Sequence, residues 1–232
     1  MARGRIAENR SADIINAARS LILEEGPARM TMDAVAARAG VGKGTIFLYW
    51  PSKAKLVDAT ITLEVAAIFS EVLARLDDIK DEWRLSVVLR QVLNVQISCP
   101  LVNAIFRHDG DISSWDDSAP AQTLRELLPI LRRHDLLTPW PNEEIAAGIE
   151  MLIFGMWRVQ TTERSDAIDL PEMIERVVAA VYEVDAPPTA SLKQAAIEIR
   201  KAFEKLIGTL LAKAAPSRKT TIPSLRSLKP TP

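Results

Sequence analysis

Apolar residues recur along this chain at intervals of three and four, the period of helices with one buried face. Between Ser11 and Glu25, residues Ile14, Ile15, Ala18, Leu21 and Ile22 share a face, and Gly26-Pro27 ends the helix. After Ser52, the stripe Leu56, Val57, Ile61, Val65, Ile68, Phe69, Val72 and Leu76 runs for about six turns. It predicts a long lever helix that starts in one domain and leaves it. Asp77-Asp78 and Asp81-Glu82 break the pattern. Further helices are predicted over 83–98, 101–107, 120–134, 143–162 and 171–184, and 109–119 (DGDISSWDDSA) reads as an acidic loop. Pro129 lies inside the 120–134 helix and is expected to kink it or split it in two. No stretch alternates in the manner of a β-strand. The predicted fold class is all-α.

The densest signal is Thr31 to Leu56, TMDAVAARAGVGKGTIFLYWPSKAKL. Thr31 suits an N-cap, and Asp33 falls in the first turn, where a negative charge suits the helix dipole. Gly40 stands where a helix stops and the backbone needs a positive φ. Gly42 caps a second short helix, and Pro51 ends it. Two short helices joined by a tight turn containing Gly form a helix-turn-helix, whose second helix can enter the major groove of DNA. That second helix carries Lys43, Gly44, Thr45, Phe47 and Tyr49. The aromatics there also suit plain core packing, and Trp50 is assigned to the core.

Beyond 185–191 (DAPPTAS), a linker, Leu192, Ala196, Ile199, Phe203, Leu206 and Leu210 are spaced 4, 3, 4, 3 and 4, an a/d seam that docks on the core or across a dimer. The pattern divides the chain into a flexible basic arm (1–10, with Arg3, Arg5 and Arg10), a helix-turn-helix head (11–57), a larger helical domain (58–186), the linker with an additional helix (187–215) and a Pro/Ser/Lys-rich tail (216–232) read as disordered. The helices at 143–162 and 171–184 are more apolar than one buried face requires. That suits either the monomer core or a four-helix bundle with a second copy, and a homodimer is the expectation.

Composition adds one thing of consequence. The net charge is only -1, but it is segregated. Residues 1–60 carry 9 Lys and Arg against 6 Asp and Glu, residues 61–186 carry 11 against 22, and residues 187–232 carry 9 against 2. An acidic centre between basic ends fits a molecule that meets a polyanion only at its ends. A single cysteine, Cys99, excludes an internal disulfide and suits a reducing cytoplasm. No secretory signal, membrane span or internal repeat is expected.

The head resembles the DNA-binding signature of TetR-family transcriptional regulators. Thr31, Val35, Ala36, Ala39, Gly40, Val41, Gly44, Thr45, Tyr49, Ser52, Lys53 and Leu56 match it, over roughly a fifth of the chain. The resemblance implies that Thr31, Tyr49 and Lys53 contact phosphates, and that Lys43, Gly44 and Thr45 face base edges or the adjacent backbone. Three positions depart from the pattern: Gly42 replaces a Ser cap, Phe47 replaces a Tyr and cannot hydrogen-bond a phosphate, and Trp50 replaces a Phe. The resemblance further implies a cytoplasmic repressor that binds a palindromic double-stranded DNA operator as a homodimer. A small-molecule inducer held among the central helices would tilt the lever helix and release the DNA. Candidate pocket residues are Phe69, Trp83, Val92, Gln96, Cys99, Phe106, Trp115, Met151, Phe154 and Trp157, all of which also suit core packing. The acidic centre favours a cationic or neutral inducer over an anionic one.

An enzyme is not expected, and neither is a cofactor. The chain has two histidines, His108 and His134, and no His/Cys cluster completes a metal site around His108, Asp109 and Asp111. GVGKGT superficially looks like a phosphate loop, but Gly44 follows Lys43 and no strand precedes it. The alternative function is a helical ligand- or partner-binding protein without functional DNA binding.

Overall fold

The computed structural model describes residues 2–79, 83–108, 119–160 and 168–217, with side chains omitted at 2–9, 105–108, 119 and 120. Residues 109–118 of the expected acidic loop and 218–232 of the expected tail lie outside the described residues. Ten helices account for most of those described: α1 (Ala2–Glu25), α2 (Met32–Ala39), α3 (Lys43–Tyr49), α4 (Lys53–Asp78), α5 (Leu85–Ile97), α6 (Pro100–His108), α7 (Ala119–Arg133), α8 (Asn142–Gln160), α9 (Leu170–Tyr182) and α10 (Thr189–Ala214). Among the described residues there is no strand, only an isolated bridge between Leu137 and Glu183. The fold is all-α, a three-helix head followed by a larger helical domain. No helix among the described residues is long and apolar enough to cross a membrane.

Two expectations change. The segment read as a flexible arm is helical, because α1 begins at Ala2. Ala2, Arg3, Arg5, Ala7 and Glu8 all favour helix, and no proline interrupts them. Pro129 does not split its helix either, and α7 runs through it from Ala119 to Arg133. Pro129 is exposed between buried Leu127, Leu128 and Ile130, so the carbonyl deprived of its partner faces water while the opposite face stays packed.

The chain forms two compact units, one of Met1–Ile68, Ile97–Asp111 and Ile207–Pro232, the other of Phe69–Gln96 and Ile112–Leu206. These limits differ from the boundaries at 57/58 and 186/187 expected from pattern. Composition marks where a linker begins, whereas packing recruits the start of α4, α6 and the last turns of α10 to the head. In the first unit, Ile14 and Ile22 of α1, Val35 of α2, Ile46 of α3, and Leu56 and Leu63 of α4 have no solvent exposure. Each such side chain contributes about 1.5–3 kcal/mol by leaving water. Across this core Arg19 of α1 donates through Nε and Nη2 to Glu64 of α4, at 2.8 and 2.7 Å. The Cys99 thiol, just before α6, donates to the same carboxylate at 3.2 Å. Burial, aided by Glu64, pushes that thiol up to about 11, so it stays protonated at neutral pH.

In the second unit α8 contacts both α7 and α9. A Cβ added to Gly148 of α8 would overlap the Tyr182 hydroxyl, so glycine permits the close approach of α9. The a/d seam of α10 is buried within the chain, with Ile199 and Phe203 at zero exposure and Leu192 and Ala196 nearly so. The Phe203 ring lies 5.5 Å from that of Phe69.

Glu183, just after α9, is buried and accepts bonds from the Ser86 amide at 2.6 Å and the Ser86 hydroxyl at 3.1 Å. Burial raises its carboxyl above the ordinary glutamate value by more than Ser86 and Arg84 lower it. A folded-state value above the unfolded one contributes stability that is complete below the unfolded value and lost as pH rises through the folded one. The deficit of wild type relative to Glu183→Gln is therefore expected to grow as pH rises from about 4, in urea unfolding at a series of pH values. A pH-independent difference would rule this out.

Candidate nucleic-acid interface and ligand cavity

The α2–turn–α3 unit is built by local backbone chemistry. Thr31 Oγ1 accepts the Ala34 amide at 3.1 Å, which caps α2. Gly40 ends α2 in the left-handed region, at φ 64, with its N–H directed to the carbonyls of Ala36 and Ala37. Gly42 starts α3 without a side-chain cap, and Ser52 Oγ accepts the Lys55 amide at 3.2 Å to begin α4. Ile46, Tyr49 and Trp50 face inward, and Gly42, Lys43, Gly44, Phe47 and Leu48 face outward with Thr45 half-buried. Lys43 Nζ meets Asp33 at 2.8 Å with both side chains well exposed. Such a pair is worth at most about 1 kcal/mol, so a phosphate can compete for the lysine. Lys53 Nζ donates to the Ala28 carbonyl at 2.7 Å, which ties the start of α4 to the α1–α2 connection.

A cavity of about 40 Å³ lies within the second unit. Phe69 of α4, Val88 and Val92 of α5, Leu127 of α7, Ile153 of α8 and Phe203 of α10 form much of its wall. Gln96 and Thr123 are its polar members, and none of the lining residues is ionisable. It holds roughly three water-sized groups, so a larger guest must displace side chains.

Residues 14–60 match the sequence model of the bacterial regulatory proteins, tetR family. The DNA-binding transcriptional repressor TetR of Mycobacteroides abscessus is 38% identical over 72 residues, 31% of this chain and 36% of that protein. A solved tetR-family protein from Shewanella sp. PV-4 superposes with a TM-score of 0.53 at 18% identity, over 76% of this chain and 99% of that one. The likeness to the tetR family thus lies in the head, over residues 14–60, and the solved structure shares the all-α fold beyond it. The SmeT–triclosan complex is a further solved structure of this fold, with a TM-score of 0.50 at 19% identity over 78% of this chain and 94% of that one. The chain spans between 31% and 44% of the length of the curated relatives it matches.

The TetR-family signature and the geometry diverge at Tyr49. Tyr49 is 2% exposed, with its ring 5.9 Å from that of Trp50, so it packs into the head instead of facing outward. Thr31, Gly42, Lys43, Gly44 and Phe47 lie on the surface, and Thr45 and Lys53 are partly exposed. The sequence reading omitted Leu48, which is 56% exposed and the most open apolar side chain of α3. The signal was present, since Leu48 falls off the Ile46–Tyr49–Trp50 stripe.

Of the ten pocket candidates, Phe69, Val92 and Gln96 line the cavity. Trp83 is buried elsewhere, with Nε1 donating to the Leu76 carbonyl at 2.9 Å and the Arg200 guanidinium 5.2 Å from its ring centre. Cys99 is committed to Glu64. Met151 is 70% exposed, whereas Phe154 and Trp157 are at least partly buried without lining the cavity. The Phe106 side chain and Trp115 lie outside the described residues, as do the His108 side chain, Asp109 and Asp111. Leu85, Leu89, Leu124 and Ile149 complete the wall, and neither they nor Val88, Thr123, Leu127, Ile153 and Phe203 were among the candidates. The acidic surplus of the central segment does not reach this wall.

Proposed function

We propose that this chain is a DNA-binding transcriptional regulator, a repressor that binds a palindromic operator as a homodimer and is released by a small molecule. The observation that carries the reading is the outward face of α3, where Lys43, Gly44, Phe47 and Leu48 are exposed, with Thr45 half-buried beside them, behind a capped turn. Lysine supplies a charged donor and threonine a hydroxyl for base edges or phosphates, and Phe47 and Leu48 supply apolar contact for a thymine methyl. Lys53 and Thr31 complete the phosphate-facing set. Tyr49 contributes from the core by holding α3 in place.

Homodimerisation is supported by two apolar faces left open on adjacent helices. On α8, Ala147, Met151 and Gly155 are exposed at intervals of four; on α9, Met173, Val177 and Val181 are exposed at the same interval. Two copies meeting through these faces form a four-helix interface, which is self-complementary about a twofold axis. Such a dimer would present its α3 helices about one DNA turn apart, ~34–36 Å. Ligand release is supported by the cavity, because Phe69 of its wall belongs to α4, the helix that starts beside α3. The similarity to the SmeT–triclosan complex points the same way. A ligand that distinguishes the two arrangements by about 1–3 kcal/mol would suffice. The neutral wall selects an uncharged molecule.

Gly44→Ala tests the DNA reading against a helical binding protein with an inert head. A Cβ at Gly44 meets nothing within 4 Å, so the substitution leaves stability unchanged or raises it by up to about 1 kcal/mol. On the DNA face the added methyl holds α3 away from base edges. Affinity for the fragment upstream of the protein's own coding region is expected to fall roughly 10- to 100-fold, the worth of one base contact. Equal retardation by both proteins, or none by wild type on any such fragment, would reject the reading.

A further inference from the structure

We propose that Gln96 is the recognition group of the cavity in the second unit, selecting an uncharged, mainly apolar molecule that carries one hydroxyl. The proposal rests on the ligand-release reading above, and it names the class of molecule and the side chain that tells it from an apolar analogue. Leu85, Val88, Leu89, Val92 and Gln96 share one stripe of α5, and all five line the cavity. Four of them are aliphatic. The fifth, in the final turn of the helix, is a carboxamide only 8% exposed. Buried polar side chains elsewhere are engaged: Thr60 donates to the Leu56 carbonyl at 2.8 Å, and Glu183 accepts from the Ser86 amide at 2.6 Å. Of the two polar side chains on the cavity wall, Thr123 is engaged, whereas the Gln96 carboxamide has no hydrogen-bond partner among the described residues.

A buried carboxamide left unpaired is costly, and a guest that bonds to it removes that cost. The wall limits what the guest can be. No lining residue is ionisable, so a charged guest would find nothing to compensate its charge. With one unengaged amide available, a guest bearing several polar groups would leave most of them unpaired. A single hydroxyl fits, because it both donates and accepts. It can therefore meet either end of the amide, the carbonyl oxygen or the NH2 group, whichever faces the void. The rest of the guest lies against Phe69, Val88, Leu127 and Phe203, which favour an apolar body. The void of about 40 Å³ is smaller than such a molecule, so entry displaces wall side chains, and Phe203→Leu gives it room.

The test uses phenol and toluene, which differ by a hydroxyl in place of a methyl, on the full chain. Four proteins are compared: wild type, Gln96→Met, Phe203→Leu and the variant carrying both substitutions. Methionine keeps the unbranched shape and removes the amide, so Gln96→Met is expected to melt no lower than wild type. A lower melting temperature would mean that the amide holds the fold together, and would overturn the proposal. Affinity for each probe is taken from the rise of melting temperature with probe concentration. Gln96→Met is expected to lower the ratio of phenol to toluene affinity about 10-fold, in wild type, in Phe203→Leu or in both. An unchanged ratio, or no response to phenol in any of the four, overturns the proposal and leaves the DNA reading standing. Retardation of the upstream DNA fragment with and without phenol separates the two readings. Phenol that binds through Gln96 and leaves retardation unchanged supports this proposal and rejects ligand release by this cavity.

Discussion

Replacing Glu64 by alanine is expected to cost the folded state about 3–5 kcal/mol, the usual penalty for removing one partner of a buried ion pair. The Arg19 and Glu64 side chains are 12% and 11% exposed, and the guanidinium grips the carboxylate with two nitrogens. The hydrogen bond to Glu64 is the largest influence holding the Arg19 pKa above its ordinary value, which is the same interaction seen from the arginine. Without Glu64, Arg19 keeps its charge in a site that excludes most water, and the Cys99 thiol loses an acceptor. The pair itself need not stabilise the fold strongly, because two charges are desolvated to make it. Joint replacement by Arg19→Met and Glu64→Leu is therefore expected to recover most of the loss. Urea unfolding of the wild type, the single variant and the double variant decides the matter. A double variant as unstable as Glu64→Ala would show that the cost lies in lost volume, not in the loss of the arginine's carboxylate partner. Since α1, α4 and the start of α6 meet at this carboxylate, the same measurement reports how firmly the head is held to α6.

The residues that were legible in the sequence are those whose roles are decided within a few positions along the chain. Thr31 caps α2, because a hydroxyl three residues before an amide needs no distant partner. Gly40 ends α2 because the backbone there needs a positive φ. Tyr49 shows a different limit. Its spacing of three from Ile46 is that of a buried stripe, and the family pattern, which assigns the position to phosphate contact, pulled the reading outward. The cavity was legible only in part for a third reason. Phe69, Val92 and Gln96 were found, but Trp83, Cys99 and Met151 were chosen by residue type, and which apolar side chains border a void depends on how five helices meet. Phe203 illustrates this best. The a/d spacing marked it as buried without indicating that it would face Phe69.

Truncation of Phe203 carries the other large expected effect, and it bears on the ligand. The side chain has no exposure, contacts the Phe69 ring and walls the cavity. Phe203→Ala is expected to cost about 3–5 kcal/mol, from lost transfer free energy and the larger void left behind. The aromatic pair accounts for about 0.5–1.5 kcal/mol of that. The enlarged space keeps its neutral wall, with the Gln96 amide and the Thr123 hydroxyl as its polar groups, and so suits a small uncharged aromatic such as indole. Binding at 100 times the dissociation constant returns about 2.7 kcal/mol. Indole is thus expected to raise the melting temperature of Phe203→Ala well above its effect on wild type, whose 40 Å³ cavity must first open. Phe203→Leu, with a smaller void, is expected to fall between the two. Equal indole responses in all three proteins would separate the void from any ligand site. A graded response would identify this cavity as the place where occupancy and the stability of α4 are linked, since Phe69 and Lys53 lie on one unbroken helix.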